Sequence, residues 1–447
     1  MSMPSSSTNI YLTLPLGRLF TRTALPIVAV MLTNGLFTLV DAYVLGIFAG
    51  AQALTAVTLV FPLTIALVAL SSLVSSGFSS IYARALGADD HRQAGEVYHG
   101  ALQLGWLCAL IVNLLVWTAG HPVALRLADG DAALAGLGWR YLAILAGFAP
   151  VAFSLSVNTD ALRAEGRMGL MTSAMVLSTA LNIGFDLLFV AGFGWGVAGS
   201  ALGTVLAQAL SLALILSRRG HLGTRMRLQS AEWSRILALG APMSLGYVGL
   251  SLSSAVTLSC LQAWAPDSYP VTAAAFGLIT RLMTFLFLPL LGLSFAAQSI
   301  IGNNHGAGLG RRSILALVTG ACVALAYCSL AQTGFFLFRN QIGAIFVADQ
   351  GIVAEVSRIL PVVTITLFLF GPQMMIAAYF QAIGDAARAG LLGLSRTFLF
   401  GIPLTVILPF WKGEPGIWWS GPLAELLVLV LTIAAVASYR RNRPVPA

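Results

Sequence analysis

Asp41 and Asp186 each stand inside a long apolar stretch, where a carboxylate costs about 3 kcal/mol or more unless it is paired, protonated or wet. Asn34 lies two helical turns before Asp41 on one face, and Asn182 lies one turn before Asp186 on one face. Both acids fall about six residues short of the same ends of their stretches, so at ~1.5 Å per residue they sit at one depth, roughly 9 Å below a membrane surface. Thr204 enters the next stretch from that side at similar depth, and Tyr141 begins another nearby. Neighbouring carboxylates in low dielectric share a proton, and an oxygen cluster of this kind also suits Na⁺. The chemistry indicated is a proton or cation relay; the plainer reading is a structural hydrogen-bond network.

Two more charges lie inside apolar stretches, Glu425 and Arg281, which can pair with each other or face a cavity separately. The remaining acids sit in connections, at stretch ends or at turns. Phe276, Phe285, Phe287, Met283, Met374 and Met375 could line an apolar cavity that re-packs around varied ligands, or pack against lipid and core. Pro26 is a kink candidate in the stretch that carries Asp41. Gly199 and Gly203 form a small-xxx-small pair that permits close helix approach. Intramembrane enzyme chemistry has no support: no stretch holds a Ser/His pair, a His-rich cluster or paired Asp-rich motifs. His91, His121, His221 and His305 lie in connections, and His99 at a stretch end.

The elements that must position these groups follow from composition. Of 447 residues 58% are hydrophobic and 9% charged, against about 25% charged in soluble domains. Twelve spans of about 20 residues would use about 240 apolar positions, which matches the supply. Soluble enzymes, nucleic-acid modules and disordered proteins are excluded. The net charge of +8 rests on 24 basic residues, all Arg except Lys412, and reads as topogenic charge. Cys108, Cys260, Cys322 and Cys328 lie in apolar stretches, spaced for neither zinc nor redox work. Met1 to Thr8 leads into a full-length span with no small-residue cleavage site, so the first span is expected to be retained.

The apolar runs fall at about 23–47, 54–82, 98–119, 137–158, 169–192, 195–217, 236–263, 271–300, 314–338, 359–382, 390–411 and 417–438, and in lipid such runs form helices. The termini and even-numbered connections hold Arg18, Arg22, Arg84, Arg92, Arg163, Arg167, Arg218, Arg219, Arg225, Arg227, Arg235, Arg311, Arg312, Arg388, Arg396, Arg440, Arg441 and Arg443, 18 in all. Odd connections hold only Arg126, Arg140, Arg339, Arg358 and Lys412. By the positive-inside rule both termini are cytoplasmic.

The chain is also a duplication. Pro26 matches Pro242 at an offset of 216, "LRAEGR" at 162–167 matches "FQAIGD" at 380–385 at 218, and "RALGADDHR" at 84–92 matches "NNHGAGLGR" at 303–311 at 219. Each half carries six spans, so the repeat is parallel, an arrangement common in secondary transporters with a central site between the halves. The expected division is an N-lobe over 1–217, a cytoplasmic linker over 218–235 and a C-lobe over 236–447. The fold expected is all-α, integral to the membrane, with twelve helices in two pseudo-symmetric lobes.

With these residues in hand the sequence resembles the MATE (multidrug and toxic compound extrusion) family, of the MOP-type fold, and most of all its DinF-type bacterial branch. The resemblance rests on Pro26, Asn34, Asp41 and "LG" at 45–46, "RALG" at 84–87, "ALRAEGR" at 161–167, "NIGFDLLFV" at 182–190 and "GVAGSALGTVLAQ" at 196–208. It implies that Asp41 works with Asn182, Asp186, Tyr141 and Thr204 in protonation-linked bending of the first helix, and that Asn158 lies near substrate. A second branch places Na⁺-coupling carboxylates in spans 7 and 10, which hold no acid here. The resulting expectation is an inner-membrane antiporter, not an enzyme, that exports lipophilic and cationic organic compounds in exchange for H⁺ or Na⁺. A central V-shaped cavity would alternate between faces, with Asn34, Asn158, Met283, Glu425 and Arg281 toward substrate and Pro26 as hinge. No cofactor, metal or nucleic acid is expected, and the working form is expected to be a monomer in the bilayer. The rivals are an exporter of one endogenous metabolite and a flippase for lipid-linked precursors. The flippase would need a cationic cavity, and Arg281 is the one base read as buried.

Overall fold

The computed structural model describes residues 9–219, 230–347 and 349–441, among which there is no strand. Ten helices are long and apolar enough to cross a membrane. Spans 1, 2, 3, 5 and 6 are Leu16–Ala49, Ala51–Gly87, His91–Leu127, Met168–Gly192 and Gly196–Arg219. Spans 7, 8, 9, 11 and 12 are Trp233–Trp264, Tyr269–Gly306, Gly310–Leu337, Ala386–Lys412 and Pro415–Arg441. Spans 4 and 10 are broken pairs, Ala132–Gly147 with Ala149–Ala164 and Gln350–Thr364 with Leu367–Ile383, bent by 51° and 47°. The twelve expected spans are all present. Each is longer than its apolar run, because the helices continue into polar ends such as those bearing Arg84 and Arg219.

Both bends have a local chemistry. Pro150 lacks the N–H that the Ala146 carbonyl would accept in a continuous helix; Asn113 Nδ2 of span 3 donates to that carbonyl instead, at 2.9 Å. At the second break Gln332 of span 9 donates Nε2–H to the Ile365 carbonyl at 2.9 Å and accepts the Phe368 N–H at 3.0 Å. Asn113 and Gln332 are 219 residues apart, the offset of the duplication. Each half therefore breaks its fourth span and satisfies the freed backbone with an amide from its third, as a backbone in hydrocarbon requires.

The chain forms two compact units, Met1–Tyr247 with Gly302–Gly310, and Val248–Ile301 with Arg311–Ala447. The division falls within spans 7 and 8 and not at 218–235, the expected linker, of which residues 220–229 lie outside the described residues. The cause is glycine. A Cβ on Gly77 would lie 1.9 Å from the Ile236 carbonyl oxygen, and one on Gly240 1.7 Å from that of Leu73. Gly87 and Gly306 are reciprocal: their Cβ atoms would lie 2.0 Å from the carbonyl oxygens of Asn303 and Arg84 respectively. Both pairs, Gly87 with Gly306 and Arg84 with Asn303, are 219 apart. Backbone meeting backbone ties the ends of spans 7 and 8 into the first unit.

Candidate functional site

Span 6 lies close against span 5 because two glycines leave room. Cβ atoms on Gly199 and Gly203 would lie 3.1 Å from the Phe189 backbone and 2.9 Å from Asp186 Oδ1. In that seam Asn182 Nδ2 donates to Thr204 Oγ1 at 3.2 Å and reaches Asp186 Oδ2 at 3.5 Å. Asp186 is 1% exposed and Asn182 6%. From span 1 Asp41 joins them: Ser200 Oγ–H donates to Asp41 Oδ1 at 3.1 Å, and the Asp41 and Asp186 carboxyls are near enough to interact electrostatically, while Asp186 Oδ1 has no hydrogen-bond partner among the described residues. Tyr141 of span 4 faces both carboxyls, its ring buried among Val44, Leu45, Val60, Val190 and Val197. Asn34 accepts from Thr179 Oγ1 at 3.0 Å, about one turn along span 5 from Asn182.

The structure thus brings Asp41, Asp186, Asn182, Thr204 and Tyr141 together, with Asn34 in the adjoining layer. Ser200 was not singled out in the sequence, although it precedes Thr204 by one helical turn and so shares its face. Two neighbouring carboxyls can hold a proton between them or a cation in its place, since two bare anions in a buried seam repel. Each acid is followed within one turn by a π-helical segment, Leu45–Ala49 after Asp41 and Leu187–Gly192 after Asp186. Such wide turns loosen the helical ladder and recur at functional sites. Pro26 lies inside the helix Leu16–Val44, four turns before Asp41.

Other expected site residues stand elsewhere. Asn158, 1% exposed, accepts from Tyr98 Oη at 2.9 Å and from Arg219 Nη1 at 2.8 Å. Its Nδ2 donates to the Ser154 carbonyl at 2.8 Å. Arg219 also meets Glu165 at 2.5 Å, Tyr82 Oη at 3.2 Å and the face of Tyr98 at 4.3 Å. Arg219 was counted as topogenic, yet its side chain is 4% exposed; the buried Glu165 carboxylate draws it inward. Arg163, counted likewise, is buried against Asp160 at 3.1 Å.

In the second unit the pairing of Glu425 with Arg281 does not form. Glu425 binds Arg396, with Nε 2.6 Å from Oε1 and Nη2 donating to Oε2 at 3.2 Å, while Arg281 is exposed. Arg396 had been assigned to a connection, but it stands ten residues into span 11, within the π-helical segment Ser395–Gly401. The signal for it was present: apolar "LLGL" before and "TFLF" after leave no polar turn in which to place the charge. Met283 packs against the core formed by Leu261, Ile279, Ile359, Leu360 and Trp418.

Residues 26–188 and 242–407 match the sequence profile of the MatE family, one segment in each half of the duplication. A FAD transporter of Shewanella oneidensis is 25% identical over 93% of this chain and 93% of its own. The multidrug export protein MepA of Staphylococcus aureus is 25% identical over 92% of each chain. A crystal structure described as MATE in the bent conformation shares the fold with a TM-score of 0.87 at 23% identity, over 98% of this chain and 99% of that one. With twelve spans in two matching sets of six, paired in-membrane carboxyls and a family match in both halves, the chain belongs to the MatE family of membrane transporters, which are not enzymes.

Proposed function

We propose that this protein is a secondary active exporter in the plasma membrane that expels lipophilic, often cationic organic compounds in exchange for H⁺ or Na⁺. The observation that carries the reading is the apposition of Asp41 and Asp186 from spans 1 and 5, held by Ser200, Asn182 and Thr204. Binding of a proton or cation from outside neutralises this pair, which weakens the hold on cargo. Span 1 bends at Pro26, access moves to the cytoplasmic face, and the ion leaves there. Cargo and coupling ion compete because they prefer opposite charge states of the same pair. The similarity to MepA supports a broad cargo range.

The test is efflux of a fluorescent lipophilic cation from proteoliposomes under separately imposed H⁺ and Na⁺ gradients. Wild type is expected to respond to one gradient, and Asp41→Asn to lose at least about 90% of that efflux, as a tenfold loss of a charge-dependent step implies. Full gradient-driven efflux by Asp41→Asn would sink the assignment. A second reading, export of one endogenous anionic metabolite, is favoured by the equal similarity to a FAD transporter; it predicts no efflux of the cation under either gradient.

A further inference from the structure

We infer that Arg396, Phe370 and Phe287 form a binding subsite in the second unit for a planar aromatic anion, with Glu425 occupying the anion position when cargo is absent. The inference deepens the exporter reading and rests on it, but its test reads binding alone.

Four observations converge. The Arg396 guanidinium lies over the Phe370 ring, 3.9 Å from its centroid, and Phe287 meets Phe370 edge-on at 6.0 Å. This ladder runs from a charge outward, because Phe287 is 36% exposed. Arg396 itself is not sealed: its side chain is 26% exposed against 10% for Glu425. Hydrogen bonding is incomplete, since Arg396 Nε lies near Oε1 without the alignment of a hydrogen bond. Gln373, which donates to the Glu425 carbonyl at 3.3 Å, likewise leaves its buried Oε1 without a partner. Arg396 also stands on the π-helical segment Ser395–Gly401, the third such segment among the described residues. The other two begin within one turn of Asp41 and Asp186.

Guanidinium recognises carboxylate and phosphate through two parallel N–H donors, and its flat face stacks on rings. A ligand whose anionic group replaces the Glu425 carboxylate, and whose ring lies against Phe370 and Phe287, would satisfy both preferences. A simple cation finds nothing here, because Arg396 already neutralises Glu425.

The test uses the full chain in lipid nanodiscs and two water-soluble probes with one ring system, riboflavin 5′-phosphate and riboflavin, followed by flavin fluorescence with empty nanodiscs subtracted. Wild type is expected to bind the phosphate at least about tenfold more tightly than the neutral flavin, the margin of a charge-assisted pair. Glu425→Gln removes the internal competitor and should widen that preference about tenfold further. Arg396→Gln should bring the two probes within about twofold. Because Arg396→Gln alone leaves Glu425 unpaired, the double variant Arg396→Gln/Glu425→Gln provides the same readout with a neutral pair. Equal binding of both probes by wild type, or a phosphate preference that survives the double variant, would overturn the proposal.

Discussion

At the scale of single residues, the proposed coupling pair depends on partners that differ in kind. Ser200 donates to Asp41 Oδ1 at 3.1 Å, and a hydrogen bond to a charged group contributes about 1.5–3 kcal/mol. Ser200→Ala is therefore expected to slow gradient-driven efflux about tenfold or more at unchanged expression, as measured in the proteoliposome assay. Gly203 acts by space alone: a Cβ there would lie 2.9 Å from Asp186 Oδ1. Gly203→Ala should push that carboxyl from Asn182 and uncouple transport, while thermal stability falls by only about 1–3 kcal/mol. Arg219 belongs to another class. Removing it takes the nearest cation from Glu165, which keeps Tyr82 Oη at 2.7 Å and Arg167 at 3.9 Å, and one of two donors from the Asn158 oxygen, and breaking a buried pair costs about 3–5 kcal/mol. Arg219→Gln should greatly reduce the yield of folded protein in size-exclusion profiles, whereas the exposed Arg218→Gln should not.

At the scale of elements, the helices are regular except where chemistry interrupts them. Spans 4 and 10 break at equivalent places and are repaired by Asn113 and Gln332. Spans 1, 5 and 11 widen into π-helical turns beside or around Asp41, Asp186 and Arg396. Helix contact in lipid comes from close packing of small residues, and Gly77 with Gly240 and Gly87 with Gly306 set the two tight reciprocal examples. Gly306→Val should drive spans 2 and 8 apart, because its Cβ would stand 2.0 Å from the Arg84 carbonyl oxygen. A melting experiment in detergent should show loss of the folded transition. Gly136→Ala, with nothing within 4 Å of the new Cβ, should match wild type or exceed it by up to about 1 kcal/mol.

At the scale of the whole molecule, the Arg distribution predicts that both termini face the cytoplasm. Reporter fusions at the C-terminus should be active only if their chemistry needs the cytoplasm; a periplasm-dependent reporter active there would reverse the assignment. Four of the 18 arginines behind that expectation, Arg163, Arg219, Arg388 and Arg396, have largely covered side chains paired with carboxylates. The remaining asymmetry, 14 against 5, still points the same way.

Residues alone were enough for the membrane class, the twelve spans, the duplication and the meeting of Asp41 with Asp186. Apolar run length and helical rise are local properties, and two acids at one depth in spans rich in small residues can be placed by counting. The partners of Glu425 and Arg219 could not be read this way. An arginine side chain reaches across helices, so whether Arg396 serves topology or meets Glu425 depends on how spans 11 and 12 rotate about their axes. That rotation is set by packing throughout the unit. The same holds for Asn158, which the spacing left open toward substrate and the packed helices surround with Tyr98 and Arg219. Depth along a helix is written in the chain; azimuth around it is decided by neighbouring helices, and the identity of each buried charge's partner follows from azimuth.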